Sequence, residues 1–454
     1  MLKRLSPQQH LIGSFALLIL VGSVALMLPG MTTDAGISYV DALFTATSAV
    51  CVTGLVVKDT GGDFTRLGQW VILVLIQLGG LGIMTFSTIF LLILGRRPSL
   101  SQDTMLQGAF AHSPMRNLHT LILWVMSFTL IAELVGAACY FAHGVHESPV
   151  NEALFIALFH AVSAFCNAGF CLFADSFVRY QSNVLMNLNT IVLIVVGGIG
   201  FLVLLEVYER YGLNRGKNGG PRRPFSLHAK LTVLTTLILI LAGALFFLVV
   251  EYHNVLRGMD FPGKILISVF QSVTARTAGF NTVDFSLLSN ATLFFFMILM
   301  FIGASPGSCG GGIKTTTAAV FFALLRSRLR GESDTMVMNR TIPKGTAART
   351  VAVVISAGLV ITVMVVLLLV TQLGGTSHVE SRGMFLEYLF EAVSAFGTVG
   401  LSMGKTAGLN TVGRLVIIML MFIGRLGPLT LAFSIRAREI PVQLKYSEEH
   451  VMIG

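Results

Sequence analysis

Apolar residues run through this chain in long blocks rather than in alternation. Blocks near 11–29, 69–94, 118–142, 187–208, 230–251, 291–325, 349–372 and 411–435 are each long enough to cross a hydrocarbon core of about 30 Å as a helix. They predict eight spanning helices. Between the members of each consecutive pair lies a shorter apolar stretch, near 37–50, 151–165, 262–275 and 383–395. About a dozen residues cannot cross as a helix, so these stretches are expected to re-enter the face they came from. The block from Leu11 to Met27 follows Lys3 and Arg4 in the manner of a leader. No small-residue cleavage site comes after it, and Leu28-Pro29-Gly30 reads as a helix end, so it is expected to remain as a span.

Composition agrees with this pattern and narrows the class. Of the 454 residues, 54% are hydrophobic and only 12% charged, with a mean hydropathy of +0.80. A soluble domain needs about a quarter of its residues charged, so much of this surface must face lipid. A wholly soluble enzyme, a disordered chain and a small disulfide scaffold are excluded. The net charge of +9 is distributed unevenly. Twenty of the 31 lysines and arginines fall in connections on the side of the two termini, and nine, Arg276 among them, fall on the other. Both termini are therefore expected in the cytoplasm, with the basic loops orienting the chain in the cell (plasma) membrane rather than binding nucleic acid. Cys51, Cys139, Cys166, Cys171 and Cys309 form no CxxC pair, and the histidines lack metal-ligand spacing, so neither zinc nor a disulfide framework is indicated.

The four short stretches are copies of one another. They read SAVCVTGL (48–55), SAFCNAGF (163–170), SVTARTAGF (272–280) and SAFGTVGL (394–401), with glycines Gly54, Gly169, Gly279 and Gly400 spaced 115, 110 and 121 residues apart. The following span carries GGLGIMT (79–85), GGIGFLV (197–203), IGASPGSCGGGIKTTT (302–317) or IGRLGPLT (423–430). The predicted fold is all-α: four repeats of span, re-entrant loop and span around one central pore. The units run 1–95, 96–213, 214–330 and 331–454. Extended backbone at membrane depth is tolerated only where protein buries it or where it lines a watery path. Four such strands on one axis present rings of carbonyl oxygens that replace the hydration shell of a monovalent cation. Glycine reaches the backbone angles the turn needs, and each short helix directs the negative end of its dipole at the pore.

With CVTGL, NAGF, TARTAGF and GTVGL in order, SPGSCGGGIKT in the third unit and an arginine in the last, the chain resembles the Trk/Ktr/HKT family of potassium transport proteins over nearly its whole length. It looks most like the membrane subunit of the Ktr branch. The resemblance implies a filter made by the carbonyls of Val52, Thr53 and Gly54, Asn167, Ala168 and Gly169, Thr277, Ala278 and Gly279, and Thr398, Val399 and Gly400. Gly54 stands where some family members carry serine and sodium selectivity, so it implies potassium. Departures from TVGYG imply fewer matched carbonyl rings. The implied ions are potassium, with sodium as a coupling ion; no cofactor is implied in this chain. The implied partners are a second copy, forming a homodimer that the tail 437–454 reaches toward, and a cytoplasmic ring of nucleotide-binding regulatory subunits.

The run from Gly303 to Thr317 carries five glycines and a proline inside an apolar span, which should break the helix, since Gly costs about 1 and Pro about 3 kcal/mol in a helix interior. In the family this segment is an intramembrane loop below the filter, so Gly307, Gly310, Gly311, Gly312, Lys314 and Arg425 are expected to act in gating. Lys314 and Arg425 are the two basic residues predicted inside spans, where a charge costs at least ~2.5 kcal/mol and must face the interior. An ion pair for Arg425 and snorkelling for Lys314 are their plain alternatives. Glu133 is a third buried charge with no partner visible in sequence. The glycine run imitates a phosphate loop, but Ile313 stands between Gly312 and Lys314, so an ATPase is disfavoured. Units of equal orientation also disfavour a conventional secondary solute transporter. A sodium-selective or weakly selective cation path remains the nearest alternative.

Overall fold

The computed structural model describes residues 7–33, 36–81, 118–211, 224–374 and 377–435. Expectations placed on Lys3 and Arg4, on the connection bearing Arg96, Arg97 and Arg116, on most of 209–229 and on the tail 437–454 lie outside the described residues. The helices in chain order are α1 (Pro7–Leu26), α2 (Tyr39–Cys51) and α3 (Arg66–Gly80); α4 (Leu118–Gly144), α5 (Val150–Phe165), α6 (Val184–Gly198) and α7 (Phe201–Tyr211); α8 (Leu227–Val250), α9 (Phe261–Thr274), α10 (Asn290–Phe301) and α11 (Thr315–Leu329); then α12 (Lys344–Gln372), α13 (His378–Gly397), α14 (Thr411–Leu426) and α15 (Pro428–Ile435). All four short apolar stretches form helices: α2, α5, α9 and α13.

The helix after each short one starts with a side-chain cap. Thr65, Asn183, Ser289 and Asn410 accept from the backbone N–H of Gly68, Met186, Thr292 and Gly413, opening α3, α6, α10 and α14. Each cap contributes about 1 kcal/mol and sets where the chain turns back after its loop. Burial then separates the short helices from the long ones. Ten of the thirteen residues of α2 are buried, whereas α12 buries six of its 29. The bulkiest fully buried side chains are all phenylalanines, and Phe44, Phe159, Phe165, Phe270 and Phe390 belong to the short helices. In lipid no hydrophobic force drives one apolar helix onto another, so dispersion and close backbone approach must hold this core.

Three glycines make that approach feasible. Any Cβ at Gly79, Gly197 or Gly424 would collide with the carbonyl of Val50, Phe165 or Phe396, each four residues before the loop glycine of its own unit. Asp41 at the start of α2 pairs with Arg414 on α14, joining the first and last units.

Of the eight predicted spans, those near 118–142, 230–251 and 349–372 contain the helices Thr120–Gly144, Leu227–Val250 and Lys344–Gln372, among the described residues the unbroken ones long and apolar enough to cross alone. The block near 69–94 extends past Leu81, beyond the described residues. Second helices are interrupted: α6 and α7 meet at 99°, α10 and α11 are separated by 302–314, and α14 stops at Gly427 before Pro428. Glycine that allows contact with a short helix also weakens the helix that carries it, which is why the breaks fall here. The sequence also missed a hairpin, β1 (Thr335–Val337) and β2 (Arg340–Ile342), turned by Met338 and Asn339 at φ 47° and 60°. That is the left-handed pair of a two-residue hairpin turn.

Gly197→Ala is expected to destabilise the folded chain by about 1–3 kcal/mol through overpacking against Phe165. Gly358→Ala on α12, where a Cβ meets open space, should be neutral or slightly stabilising. Thermal unfolding in detergent compares the two, and equal midpoints would refute the close-approach argument.

Candidate ion site

Each short helix ends in a reversal with the same backbone signature. Val52, Asn167, Thr277 and Thr398 have φ of 56°, 58°, 64° and 49°, and the glycine two residues later, Gly54, Gly169, Gly279 or Gly400, has φ of 90°, 70°, 82° or 90°. The intervening N–H folds back onto its own short helix: Thr53 to Ser48 O at 2.8 Å, Ala168 to Ser163 O at 2.7 Å, Ala278 to Thr274 O at 3.0 Å and Val399 to Ser394 O at 2.9 Å. Side chains brace the turns, with Ser48 Oγ accepting from Gly54 N at 3.1 Å and Ser163 Oγ and Thr274 Oγ1 donating to Phe170 O and Phe280 O at 2.7 and 2.6 Å. These bonds occupy N–H groups. Among the described residues, none of the twelve carbonyls from 52–54, 167–169, 277–279 and 398–400 accepts a hydrogen bond.

The four turns meet. A Cβ at Gly54 would lie 2.5 Å from the Ala168 carbonyl oxygen, one at Gly169 would lie 2.8 Å from that of Ala278, and one at Gly279 would lie 2.6 Å from that of Val399. At Gly400 it would run into the carbonyl of Thr53, 3.1 Å from Gly54 Cα. Every glycine thus rests on the carbonyl that precedes the next glycine, and the fourth returns to the first. All twelve residues singled out in the sequence lie in these four turns, eight of them in the closed ring of contacts, and all are buried apart from partly exposed Gly169.

The segment 302–314 lies against the ring on one side. Gly310 abuts the Thr277 side chain, Gly311 that of Thr398, and a Cβ at Gly312 would be 3.4 Å from Gly397 Cα. Gly307 is elsewhere: its carbonyl accepts from Phe201 N at 2.9 Å, while Ser305 N and Cys309 N donate to Gly198 O and Gly197 O, both at 3.1 Å. The loop is thereby docked in the corner between α6 and α7, a seat that GGIG did not announce in sequence beyond its Gly200 at φ 97°. Lys314 donates to Gly310 O at 2.6 Å, holding the loop to itself. Arg425 forms no ion pair among the described residues. Its guanidinium donates to Cys309 O on the loop and to Gly79 O at the end of α3, bridging the third and first units.

Two charges stand differently from their sequence reading. Arg276, counted with the exposed connections, is 7% exposed and donates to Thr236 O and Gly303 O at 3.3 Å each. Counted from the serine of its motif the third unit has one more residue before its glycine, yet the bond that closes its turn spans four residues, Ala278 to Thr274, where the other three span five, and Arg276 lies within that turn. Glu133 has a partner after all, accepting from Gln77 Nε2 at 3.2 Å across α4 and α3. Sequence distance, 56 residues, concealed that pair.

The sequence profile of TrkH, a cation transport protein family, matches residues 9–441. This chain belongs to the TrkH family. It is 39% identical over 453 residues to Ktr system potassium uptake protein B of Bacillus subtilis (strain 168), covering 99% of this chain and 97% of that one. It is 37% identical to Ktr system potassium uptake protein B of Vibrio alginolyticus, over 97% of this chain and 93% of the other. Potassium/sodium uptake protein NtpJ of Enterococcus hirae is 35% identical over 100% and 98%. The crystal structure of the potassium transporter TrkH from Vibrio parahaemolyticus matches with a TM-score of 0.71 at 18% identity, over 95% of this chain and 86% of that one, which establishes a shared fold. As a TrkH family member the chain is a membrane ion transporter and not an enzyme.

Arg425→Ala removes two charge-assisted bonds from the loop seat. In a chain whose other four cysteines are replaced by alanine, maleimide labelling of the fully buried Cys309 is expected to accelerate about tenfold or more. An unchanged rate would mean that the loop is held without the guanidinium.

Proposed function

We propose that this chain is the membrane subunit of a potassium uptake system, conducting the ion along the axis of the glycine ring. The observation that carries the reading is the cyclic contact of each glycine with the carbonyl before the next, together with twelve carbonyls that no donor among the described residues occupies. Oxygens so presented, backed by the negative ends of α2, α5, α9 and α13, replace the hydration of a dehydrated alkali cation. The relatives named for potassium uptake support the choice of ion. Four units with boundaries near residues 95, 213 and 330, and both termini in the cytoplasm, complete the proposed architecture.

In this reading the segment 302–314 is the gate. It lies next to Thr277 and Thr398, so it obstructs the axis until it leaves its seat at α6 and α7, with Arg425 and Lys314 holding it closed. A nucleotide-binding regulatory ring on the cytoplasmic face, a homodimeric membrane unit and sodium coupling belong to the same proposal. The names of the Ktr relatives, which are components of a system, support a partner subunit.

One observation favours weak discrimination as a second reading. Two positions before the glycine, the ring presents Val52, Asn167, Thr277 and Thr398, so the side chains there are one apolar group, one amide and two hydroxyls. With its amide turned to donate, Asn167 reaches Ala164 O, Phe165 O and Ile194 O at 3.2 Å, which leaves it committed to the scaffold. Selectivity then rests on fewer complete rings.

Gly54→Ser places a side chain at φ 90° against the Ala168 carbonyl and is expected to lower potassium preference over sodium about tenfold or more. Ion-resolved uptake in a strain lacking other potassium systems, run with and without sodium, measures preference and coupling together. An unchanged preference removes this turn from the filter, and potassium uptake indifferent to sodium removes the coupling.

A further inference from the structure

A cavity of about 610 Å³ opens between α8 and α11, beneath the hairpin β1–β2. Its walls are apolar, and Leu234, Ile238 and Phe322 on those walls are 45%, 54% and 58% exposed. Helix α8 is one of the three unbroken spanning helices, so the groove faces the lipid side of the chain. Its mouth is different in character. Arg326 in the last turn of α11 and Arg330, the residue after its last, line the rim together with Glu332. Arg330 N still donates to Arg326 O at 3.1 Å, so the two residues lie one turn apart and both guanidinium groups can address one ligand. Neither forms an ion pair among the described residues. Arg328, between them, is directed elsewhere and donates to the carbonyls of Glu332 and Ser333 at 3.1 Å. From 326 to 349 the sequence has six basic residues against two acidic ones, so this end of the groove is positive beyond its rim.

We infer that this groove binds an anionic diacyl phospholipid, with an acyl chain between α8 and α11 and the phosphate on Arg326 and Arg330. A basic mouth on an apolar groove between spanning helices matches both parts of such a lipid. Arginine favours phosphate because its planar fork donates two parallel bonds. The consequence is regulatory. Helix α11 begins at Thr315, directly after the segment 302–314 that lies against the glycine ring. A lipid that holds α11 against α8 therefore biases the position of that segment, and lipid composition becomes an input to transport. Binding does not depend on which ion the ring carries.

Native mass spectrometry of the full chain, solubilised after incubation with phosphatidylglycerol or phosphatidylcholine, reads lipid retention directly. Wild type should retain phosphatidylglycerol selectively, and Arg326→Gln with Arg330→Gln should weaken that retention about thirtyfold. Restoration by Arg326→Lys with Arg330→Lys would support a charge effect, and Arg328→Gln should leave retention unchanged. Ala323→Trp, which fills the groove, should reduce retention with the arginines intact. Equal retention by the double glutamine variant overturns the proposal. So does displacement of the lipid by millimolar glycerol phosphate, which would identify a soluble phosphate site, and so does a lipid-free dimer that buries the groove. In proteoliposomes, the stimulation of uptake by phosphatidylglycerol should disappear in the double glutamine variant while uptake in phosphatidylcholine stays the same.

Discussion

Backbone carbonyls without donors inside a membrane protein are the constraint from which the rest of this architecture follows. Each is costly to bury unless something polar meets it. Here twelve of them are collected at one place, because the N–H groups of the same turns are bonded back to the short helices. That division of labour requires each short helix to end in a left-handed residue and each turn to contain a glycine. It also requires a rigid surround, which the phenylalanine-packed short helices supply. The crossing glycines on α3, α6 and α14 bring the second helices close enough to clamp the turns from outside.

A single chain can depart from fourfold symmetry in ways that four identical subunits cannot. The third unit does so three times: a turn closed over four residues rather than five, a buried arginine in it, and a second helix split by 302–314. These departures are connected. Arg276 donates to Gly303, the first glycine of the split, so that turn and the interrupted helix are tied by the same side chain. The split segment then bonds to α6 and α7 in the second unit and, through Arg425, to the fourth and the first. All four units thus meet in one loop, which makes its seat sensitive to movement of any of them.

Buried charge serves as a set of struts rather than as a binding surface. Arg425 donates to Cys309 O in the split segment and to Gly79 O at the end of α3, Arg276 donates to Gly303 O in that segment and to Thr236 O within α8, and Glu133 takes a glutamine partner. A guanidinium with several directed donors suits carbonyls left over where helices stop, since each stopped helix exposes groups its own backbone no longer satisfies. Removing one partner from such a contact is costlier than the contact is worth, because the other remains buried and unpaired.

Block length and repetition in the sequence determined the short helices, the four glycine turns that follow them and the break at 302–314 between α10 and α11. These are local properties: a run of about a dozen apolar residues is too short to cross, and glycine with proline cannot continue a helix. The hairpin was equally local but was hidden, because Met338 takes a left-handed angle that its identity does not advertise. Closure of the ring, the dock of Gly307 on α7, the burial of Arg276 and the two acceptors of Arg425 were decided only in three dimensions. Each joins residues tens to hundreds of positions apart, and no spacing along the chain specifies which carbonyl a guanidinium will find once the helices have packed.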